Sequence, residues 1–474
     1  MMTRRFDLVA IGCGPAGEKG AAQAAYFGKN VAVVERSPYL GGACINTGTL
    51  PSKTLRETAL YFSGLRQRGL YGIDYSLKEG LTIDDFMYRE RIVVEAERKI
   101  IQRNLERHNI ELIRGVASIR DAHTIHVEQL DGTSLDLETE VVLIATGSSP
   151  YRPQGVPFDN RFIFDSDTIL HMTRIPKTMA IIGGGVIGSE YASIFTALDV
   201  AVTLVDGRDR LVPFLDTEIV ERLQKQLERL GMRFIFNDRV QSVEIRDNRT
   251  LLQLRGGEGL NCDIALFAAG RESNVQGLNL QAVGVKTGNR GLLLVNENYQ
   301  TSVPSIYAAG DVIGFPALAS TSMEQARVAM VHAFDLKYKE RISHVLPLAI
   351  YTIPEISSVG LSEDACREKG IPCLVGRAYY DKSPRGQIIG DTSGMLKLVF
   401  SPADGKLLGV HHIGELASEL VHIGAHAMAS AETIHTFIEA VYNYPTLADS
   451  YKYAAYNGLD NLAKWRQAAA GTAP

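Results

Sequence analysis

The chain reads FDLVAIGCGPAGEKGAAQAAYFGKNVAVVE from Phe6 to Glu35, and TMAIIGGGVIGSEYASIFTALDVAVTLVD from Thr178 to Asp206. Each stretch opens on a short apolar run, turns on glycines, continues through small and apolar residues, and closes on a second apolar run ending in an acid. That is the order strand, tight turn, helix, strand. Gly12 allows the tight turn, Gly14 lets the backbone approach a pyrophosphate, and Gly17 lets helix pack on strand; Gly183, Gly185 and Gly188 repeat the set. Glu35 lies 18 residues after Gly17, and Asp206 lies 18 after Gly188, where a carboxylate accepts from ribose hydroxyls. Two complete fingerprints in one chain imply two bound dinucleotides.

Working outward, 474 residues exceed what one core accommodates, so two or three domains are expected. A hydrophobic content of 45% with a mean hydropathy of -0.02 reads as globular, and 44 glycines, many at turns after apolar runs, favour an α/β fold. The formal charge of -5 gives no reason to expect nucleic acid or an anionic membrane as a partner. No apolar run approaches a membrane span of about 20 residues. The opening MMTRRFDLVAIG imitates a basic leader, but Asp7 interrupts it and the fingerprint follows at once. Cys13, Cys44, Cys262, Cys366 and Cys373 are sparse, odd in number and without CxxC spacing. They argue against a disulfide scaffold and suit a reducing cytoplasm.

Between the fingerprints lies GGACINTGTLPSK, Gly41 to Lys53. It resembles the redox-active segment of the flavoprotein disulfide reductases, whose pattern GGxCxNxGCxPSK carries two cysteines that form a disulfide. Here the first cysteine is Cys44 and the second position is Thr49. A dithiol and disulfide couple needs two sulfurs, and the nucleophile of thiol exchange is a thiolate. Threonine supplies neither, so the chain is expected to keep a flavin without reducing disulfides. Cys44 itself is either a packed vestige or a lone thiol able to form a sulfenic acid. The passive reading is preferred, because no partner thiol or histidine base is evident.

The resemblance implies FAD at the first fingerprint and a nicotinamide dinucleotide at the second, although the sequence alone permits the reverse. It implies an FAD domain in two segments, 1–150 and 272–345, an inserted nicotinamide domain, 151–271, and an interface domain, 346–474. The architecture is thus α/β, with two Rossmann-like dinucleotide-binding domains plus a C-terminal α+β dimerisation domain. It also assigns Arg36 to the adenosine and places Gly42, Cys44, Ala117, Thr146 and Gly147 among the flavin contacts. Gly270 closes the exit IALFAAGR from the second domain. Asp311, in SIYAAGDV, bonds the ribityl chain, and Ala319 with Ser320 lines the same pocket, ahead of a helix from about Ser322. Before all this, a helical region is expected to about residue 110, with an amphipathic surface helix over 85–108.

Lys53 and Glu190 are the candidate catalytic residues. The resemblance makes them an ion pair beside the flavin and the nicotinamide, the lysine stabilising charge and the glutamate orienting lysine and nicotinamide. Asp206 suits the 2′-OH of NAD, whereas Arg208 and Arg210 can meet the 2′-phosphate of NADP, so the combination suggests dual use; solvated loop charges are the plain alternative. Near the end, the family's HPTxxE signature reads Tyr444-Pro445-Thr446-Leu447-Ala448-Asp449. Tyrosine, with an ordinary pKa near 10, does not replace histidine near neutral pH. Two separate losses, the second cysteine and the histidine, remove thiol chemistry while every dinucleotide element stays. The chain therefore resembles the branch of the family that moves hydride between NADPH and NAD⁺ through FAD, as a homodimer or larger homo-oligomer. An NAD(P)H oxidase or diaphorase acting on oxygen, peroxide or quinone, with a role for Cys44, is the alternative, and a non-catalytic flavoprotein is a third reading. No metal site is expected: His422 and His426 lack a further ligand nearby, and adjacent His411 and His412 point to opposite faces of a strand.

Overall fold

A computed structural model describes residues 3–64 and 81–471. Residues 65–80, part of the stretch expected to be helical, lie outside the described residues.

The apolar run after Phe6 becomes the strand Thr3–Ile11, flanked by the parallel strands Val31–Glu35 and Ser134–Ile144. Glu111–Asp121 and Ile306–Ala308 extend this sheet in parallel on its two sides, and Thr124–Gln129 joins Glu111–Asp121 to Ser134–Ile144 as an antiparallel meander. Val31–Glu35 is buried at every position, which is why it reads as continuous apolar sequence rather than alternation. The helix Pro15–Tyr26 opens with proline and buries Ala16, Gly17, Gly20, Ala21 and Ala24. Its small residues are required: a Cβ on Gly20 would lie 2.5 Å from Leu143 and 3.3 Å from Ala326, on the helix Ala319–Ala333. That helix begins three residues before the expected Ser322, because Leu318 remains extended and Ala319 already has helical backbone.

The second fingerprint builds a fully parallel sheet in the order Arg233–Ile235, Ala201–Val205, Thr178–Ile182, Ile264–Phe267, Ile163–Asp165. A three-stranded antiparallel meander, Val240–Arg246, Arg249–Leu254 and Gly259–Cys262, packs beside it. The chain passes between the two sheets twice, and the crossings pair with each other: Ser148–Pro150 runs antiparallel to Arg271–Ser273.

From Leu348 onward the topology becomes antiparallel, in the order Leu348–Ile350, Ile356–Gly360, Leu407–Ile413, Met395–Phe400, Leu374–Tyr379. Helices Ala417–Ala429 and Ser450–Gly471 contribute Val421, Ala425, Tyr451, Ala454 and Ala455 to its core. The expected amphipathic helix spans Ile83–Arg107, started by a capping box in which Thr82 and Asp85 satisfy each other's backbone amides.

Two buried ion pairs fasten this last sheet to the others. Arg56, on the helix Thr49–Ser63, meets Glu355 at 3.0 Å and donates to the Thr352 carbonyl at 2.9 Å. Lys397, on Met395–Phe400, meets Asp216 at 3.0 Å, and their side chains are 2% and 0% exposed.

Candidate active site

The two glycine turns are nearly superimposable in their constraints. Gly12 has φ 100° and Gly183 φ 110°, and a Cβ on either would come within 2.5 Å of Ala145 O or 2.4 Å of Ala268 O. A Cβ on Gly17 or Gly188 would sit 1.8 Å from the carbonyl of the first glycine of its own turn. Gly14 and Gly185 cap their helices with the same extended backbone and no side-chain cap, leaving the first helical amides open toward an anion. The acids match too. Glu35 accepts from Cys13 N at 2.7 Å and Ser37 N at 2.8 Å, and Asp206 from Gly184 N at 2.5 Å and Arg208 N at 2.8 Å. A carboxylate has about four lone-pair sites, so Glu35 retains acceptor capacity for a ribose, whereas the Arg208 side chain fills the remaining two sites of Asp206 and must turn away to free them.

Gly41 to Lys53 is seated directly on the first turn. Gly41 N donates to Cys13 O at 2.9 Å, and a Cβ on Gly42, at φ 56°, would lie 2.9 Å from the Gly14 Cα. The short helix Gly42–Asn46 carries Cys44, and Thr49 begins the helix Thr49–Ser63. The two side chains that would be disulfide partners in a disulfide reductase are here neighbours, with Thr49 acting on the Cys44 thiol. Burial pushes the Cys44 thiol up, against the opposing pull of Thr49 and Lys53.

One turn further on, Lys53 Nζ reaches across to the second unit and binds both oxygens of Glu190, at 2.7 and 2.8 Å. Glu190 lies on the helix Val186–Ala197 and is 3% exposed, whereas the Lys53 side chain is 26% exposed. Two groups that sequence reasoning missed hold the carboxylate in place: Ser52 Oγ donates to Oε2 at 3.1 Å and Tyr351 N donates to Oε1 at 3.0 Å. Lys53 Nζ also stands 5.0 Å over the Tyr351 ring. Two helices and the residue after the strand Leu348–Ile350 therefore converge on one ion pair. Ser52 was legible as the middle residue of PSK, but nothing in YTIPEI marks the Tyr351 amide.

The remaining candidates fall into two groups. Around the crossing strands, Ser148 Oγ donates to Asp311 at 2.8 Å and receives Arg271 Nε at 2.8 Å, and Arg271 reaches Asp167 at 3.3 Å. Burial pushes the Asp167 carboxyl up despite the opposing pull of Arg271 and Thr47. Gly147 and Gly270 both have positive φ, 67° and 111°. Asp311 opens a single turn, Asp311–Ile313, and Ala319 starts the helix that follows. Ala117 is buried within the first sheet's core, while Arg36 is exposed just past Glu35.

At the second acid, Arg208 lies against Asp206 through two bonds, Nε at 2.9 Å and Nη2 at 2.6 Å. Burial raises the Asp206 carboxyl, but Arg208 and two backbone amides outweigh it and hold the group below its usual range. Arg210 is directed elsewhere, to Thr217 Oγ1 and to Pro213 O at 3.0 Å. Tyr444 is 72% exposed, and His422 and His426 are exposed on the helix Ala417–Ala429. His411 and His412 are buried within the last sheet; His412 Nε2 pairs with the Tyr380 hydroxyl at 2.8 Å.

These residues fit a flavin dinucleotide at the first turn. Thr146 Oγ1 is buried without a protein partner beside Gly12, a polar atom placed where only a ligand or water would satisfy it. The Gly14–Gly42 approach leaves a backbone-lined cradle that a side chain at Gly42 would fill.

Comparison with known proteins gives the same picture. The family model described as pyridine nucleotide-disulphide oxidoreductase matches residues 6–333, and that family's dimerisation domain matches 346–455. A soluble pyridine nucleotide transhydrogenase of Mycobacterium bovis is 43% identical over 465 residues, covering 98% of this chain and 99% of that one. One from Colwellia psychrerythraea is 40% identical, covering 96% and 98%. Among solved structures, LpdA from Mycobacterium tuberculosis is 26% identical with a TM-score of 0.89, covering 96% of this chain and 99% of its own. The HOCl-induced flavoprotein disulfide reductase RclA from Escherichia coli is 25% identical with a TM-score of 0.85, covering 95% and 99%.

Proposed function

The chain belongs to the soluble pyridine nucleotide transhydrogenases, within the pyridine nucleotide-disulphide oxidoreductases, and on that footing we propose that it moves hydride reversibly from NADPH to NAD⁺ using bound FAD. The observation that carries this reading is Thr49. It occupies the place of the second sulfur beside Cys44, so Cys44 has no disulfide partner there through which to relay the electrons.

FAD, when bound, supplies the two-electron acceptor and donor. The protein's part is positioning and charge. The first fingerprint, with Glu35, Gly42 and Thr146, holds FAD; the second, with Asp206, holds NADPH and NAD⁺ in turn. The Lys53 ammonium, fixed by Glu190, Ser52 and the Tyr351 amide, presents a positive charge between the two units and counters negative charge that develops there. Because the second fingerprint serves both substrates, the kinetics are ping-pong. No proton passes to a substrate thiol, which accords with Tyr444 in place of a histidine base. Asp206 accepts from the 2′-OH of NAD. Arg208, 45% exposed in its side chain, can turn from Asp206 to the 2′-phosphate of NADP, so one loop accommodates both.

The domain limits accompanying this reading are FAD binding over 1–150 and 272–345, nicotinamide binding over 151–271, and dimerisation over 346–474, in a cytoplasmic homodimer. Among the described residues no helix is long and apolar enough to cross a membrane. The test is anaerobic transfer from NADPH to thio-NAD⁺, whose reduced form absorbs apart from NADPH. Turnover with parallel double-reciprocal lines supports the reading. Flavin bleaching by NADPH without thio-NADH would direct the electrons to an oxidant and favour the oxidase alternative.

A further inference from the structure

Sparse cysteines without close spacing give no hint of pairing, yet the fold brings two of them together. Cys366 sits in the helix Glu363–Glu368, and Cys373 immediately precedes the strand Leu374–Tyr379. Between them Gly370 adopts φ 64°, and the Gly370 and Ile371 amides donate back to Arg367 O at 3.2 Å and Cys366 O at 2.9 Å. This reversal folds the chain onto the helix it has just left. It brings the two side chains close enough for each to perturb the other, both as free thiols. Cys366 is 0% exposed and Cys373 is partly exposed.

The helix that carries Cys366 also grips the nicotinamide unit. Glu363 binds Lys397 Nζ at 2.8 Å, and Lys397 in turn meets Asp216 at 3.0 Å. Asp364 accepts from Thr217 N at 3.0 Å, and Thr217 Oγ1 accepts from Arg210. Residues 206–217, which begin at the 2′-discriminating acid, are therefore anchored at their far end on the helix containing Cys366.

We propose that Cys366 and Cys373 close to a reversible disulfide under a two-electron oxidant of the peroxide class, and that closure alters the grip of the 206–217 loop on the 2′-phosphate. The second half rests on the function proposed above. In the first step the Cys373 thiolate attacks a peroxide oxygen, the O–O bond breaks, and the departing hydroxide takes the thiol proton to leave as water. Cys366 then attacks the Cys373 sulfur, giving up its own proton, and the S–O bond breaks to release a second water. Two thiols and one hydrogen peroxide yield one disulfide and two waters, with two electrons passed to the peroxide. A dithiol reductant reverses it by exchange.

Cys373 reacts first because it is accessible, and Cys366, Lys397 and Arg367 favour its thiolate against the opposing charge of Glu363. Burial nevertheless raises both thiols, Cys366 to about 12, so closure is slow at neutral pH and accelerates as pH rises.

The experiment treats the FAD-loaded protein with hydrogen peroxide, digests it under non-reducing conditions, and measures NADP⁺ binding calorimetrically before and after. Trypsin cuts after Arg367 and Lys369, so a disulfide joins two otherwise separate peptides. The joined peptide should form, vanish in Cys373→Ser and in Cys366→Ser, and disappear with dithiothreitol, while NADP⁺ affinity shifts several-fold and NAD⁺ affinity does not. Sulfinic acid at Cys373 without the joined peptide overturns the pairing. A joined peptide with unchanged NADP⁺ affinity overturns the coupling. Neither readout requires hydride to reach NAD⁺, so failure of the transhydrogenase reading would show separately in the thio-NAD⁺ assay.

Discussion

Replacing Arg208 by alanine separates the two nicotinamide substrates more sharply than any other single change. The guanidinium now satisfies Asp206 at 2.6 and 2.9 Å, and the same donors can turn to meet a 2′-phosphate. Arg208→Ala removes a charge-assisted hydrogen bond, worth about 1.5–3 kcal/mol in general and about 1 here, because the side chain is 45% exposed. It also leaves Asp206 facing the phosphate unscreened. At about 5 Å with an effective dielectric between about 20 and 80, that repulsion is about 1–3 kcal/mol, and solvent holds it near the lower half of the range. Together they amount to about 2–3 kcal/mol, or roughly 30- to 150-fold in kcat/KM for NADPH. NAD⁺ carries a 2′-OH at the same place and loses nothing comparable, so its kcat/KM should stay within roughly threefold. The assay is initial-rate kinetics with each dinucleotide as the varied substrate. Equal losses for both, or a loss confined to NAD⁺, would refute the assignment of Arg208 to the phosphate.

Other changes test other parts of the account. Glu190→Gln keeps the shape but withdraws the carboxylate from Lys53; turnover should fall roughly 100-fold with FAD still bound, as read by absorbance and stopped-flow rates. Lys397→Met leaves Asp216 buried and uncompensated, so urea unfolding should show a loss of about 3–5 kcal/mol, which Asp216→Asn in the same chain should partly restore. Burial pushes the His412 imidazole down to about 3. The unfolded chain takes up its proton near pH 6.5 and the native chain refuses it. This group therefore costs nothing above pH 6.5 and removes up to about 1.4 kcal/mol per pH unit as pH falls from there toward 3. His412→Gln should flatten the acid limb of the stability profile, and an unchanged limb would count against the neutral buried histidine.

How much of this is legible in the sequence depends on how local the physics is. Glycine turns are local: Gly12 and Gly183 need positive φ and Gly17 and Gly188 need a missing Cβ, so residue identity at fixed spacing reports the geometry directly. Strands buried on both faces announce themselves as unbroken apolar runs, as in VAVVE. The meeting of Lys53 with Glu190 spans 137 positions and is reachable from sequence only through family resemblance. Contacts without such a guide stay hidden: the Tyr351 amide on Glu190, the Lys397–Asp216 pair, and the approach of Cys366 to Cys373 around Gly370. The two arginines after Asp206 show the same limit. Their spacing made them equivalent candidates, but Thr217 and Pro213 draw Arg210 away while Arg208 folds back on the acid. Side-chain direction within a loop is decided by neighbours that arrive from elsewhere in the fold.

The central claim is that flavin is the sole redox centre on the path of the hydride, since Thr49 leaves Cys44 without a sulfur to pair with. An anaerobic reductive titration of the FAD-loaded protein with NADPH tests it directly. The account predicts complete bleaching of the flavin at a single equivalent of NADPH per FAD, followed by full recovery of colour on adding NAD⁺. An end point at twice that amount, with a long-wavelength thiolate–flavin band on the way, would mean that a disulfide takes part and would contradict it.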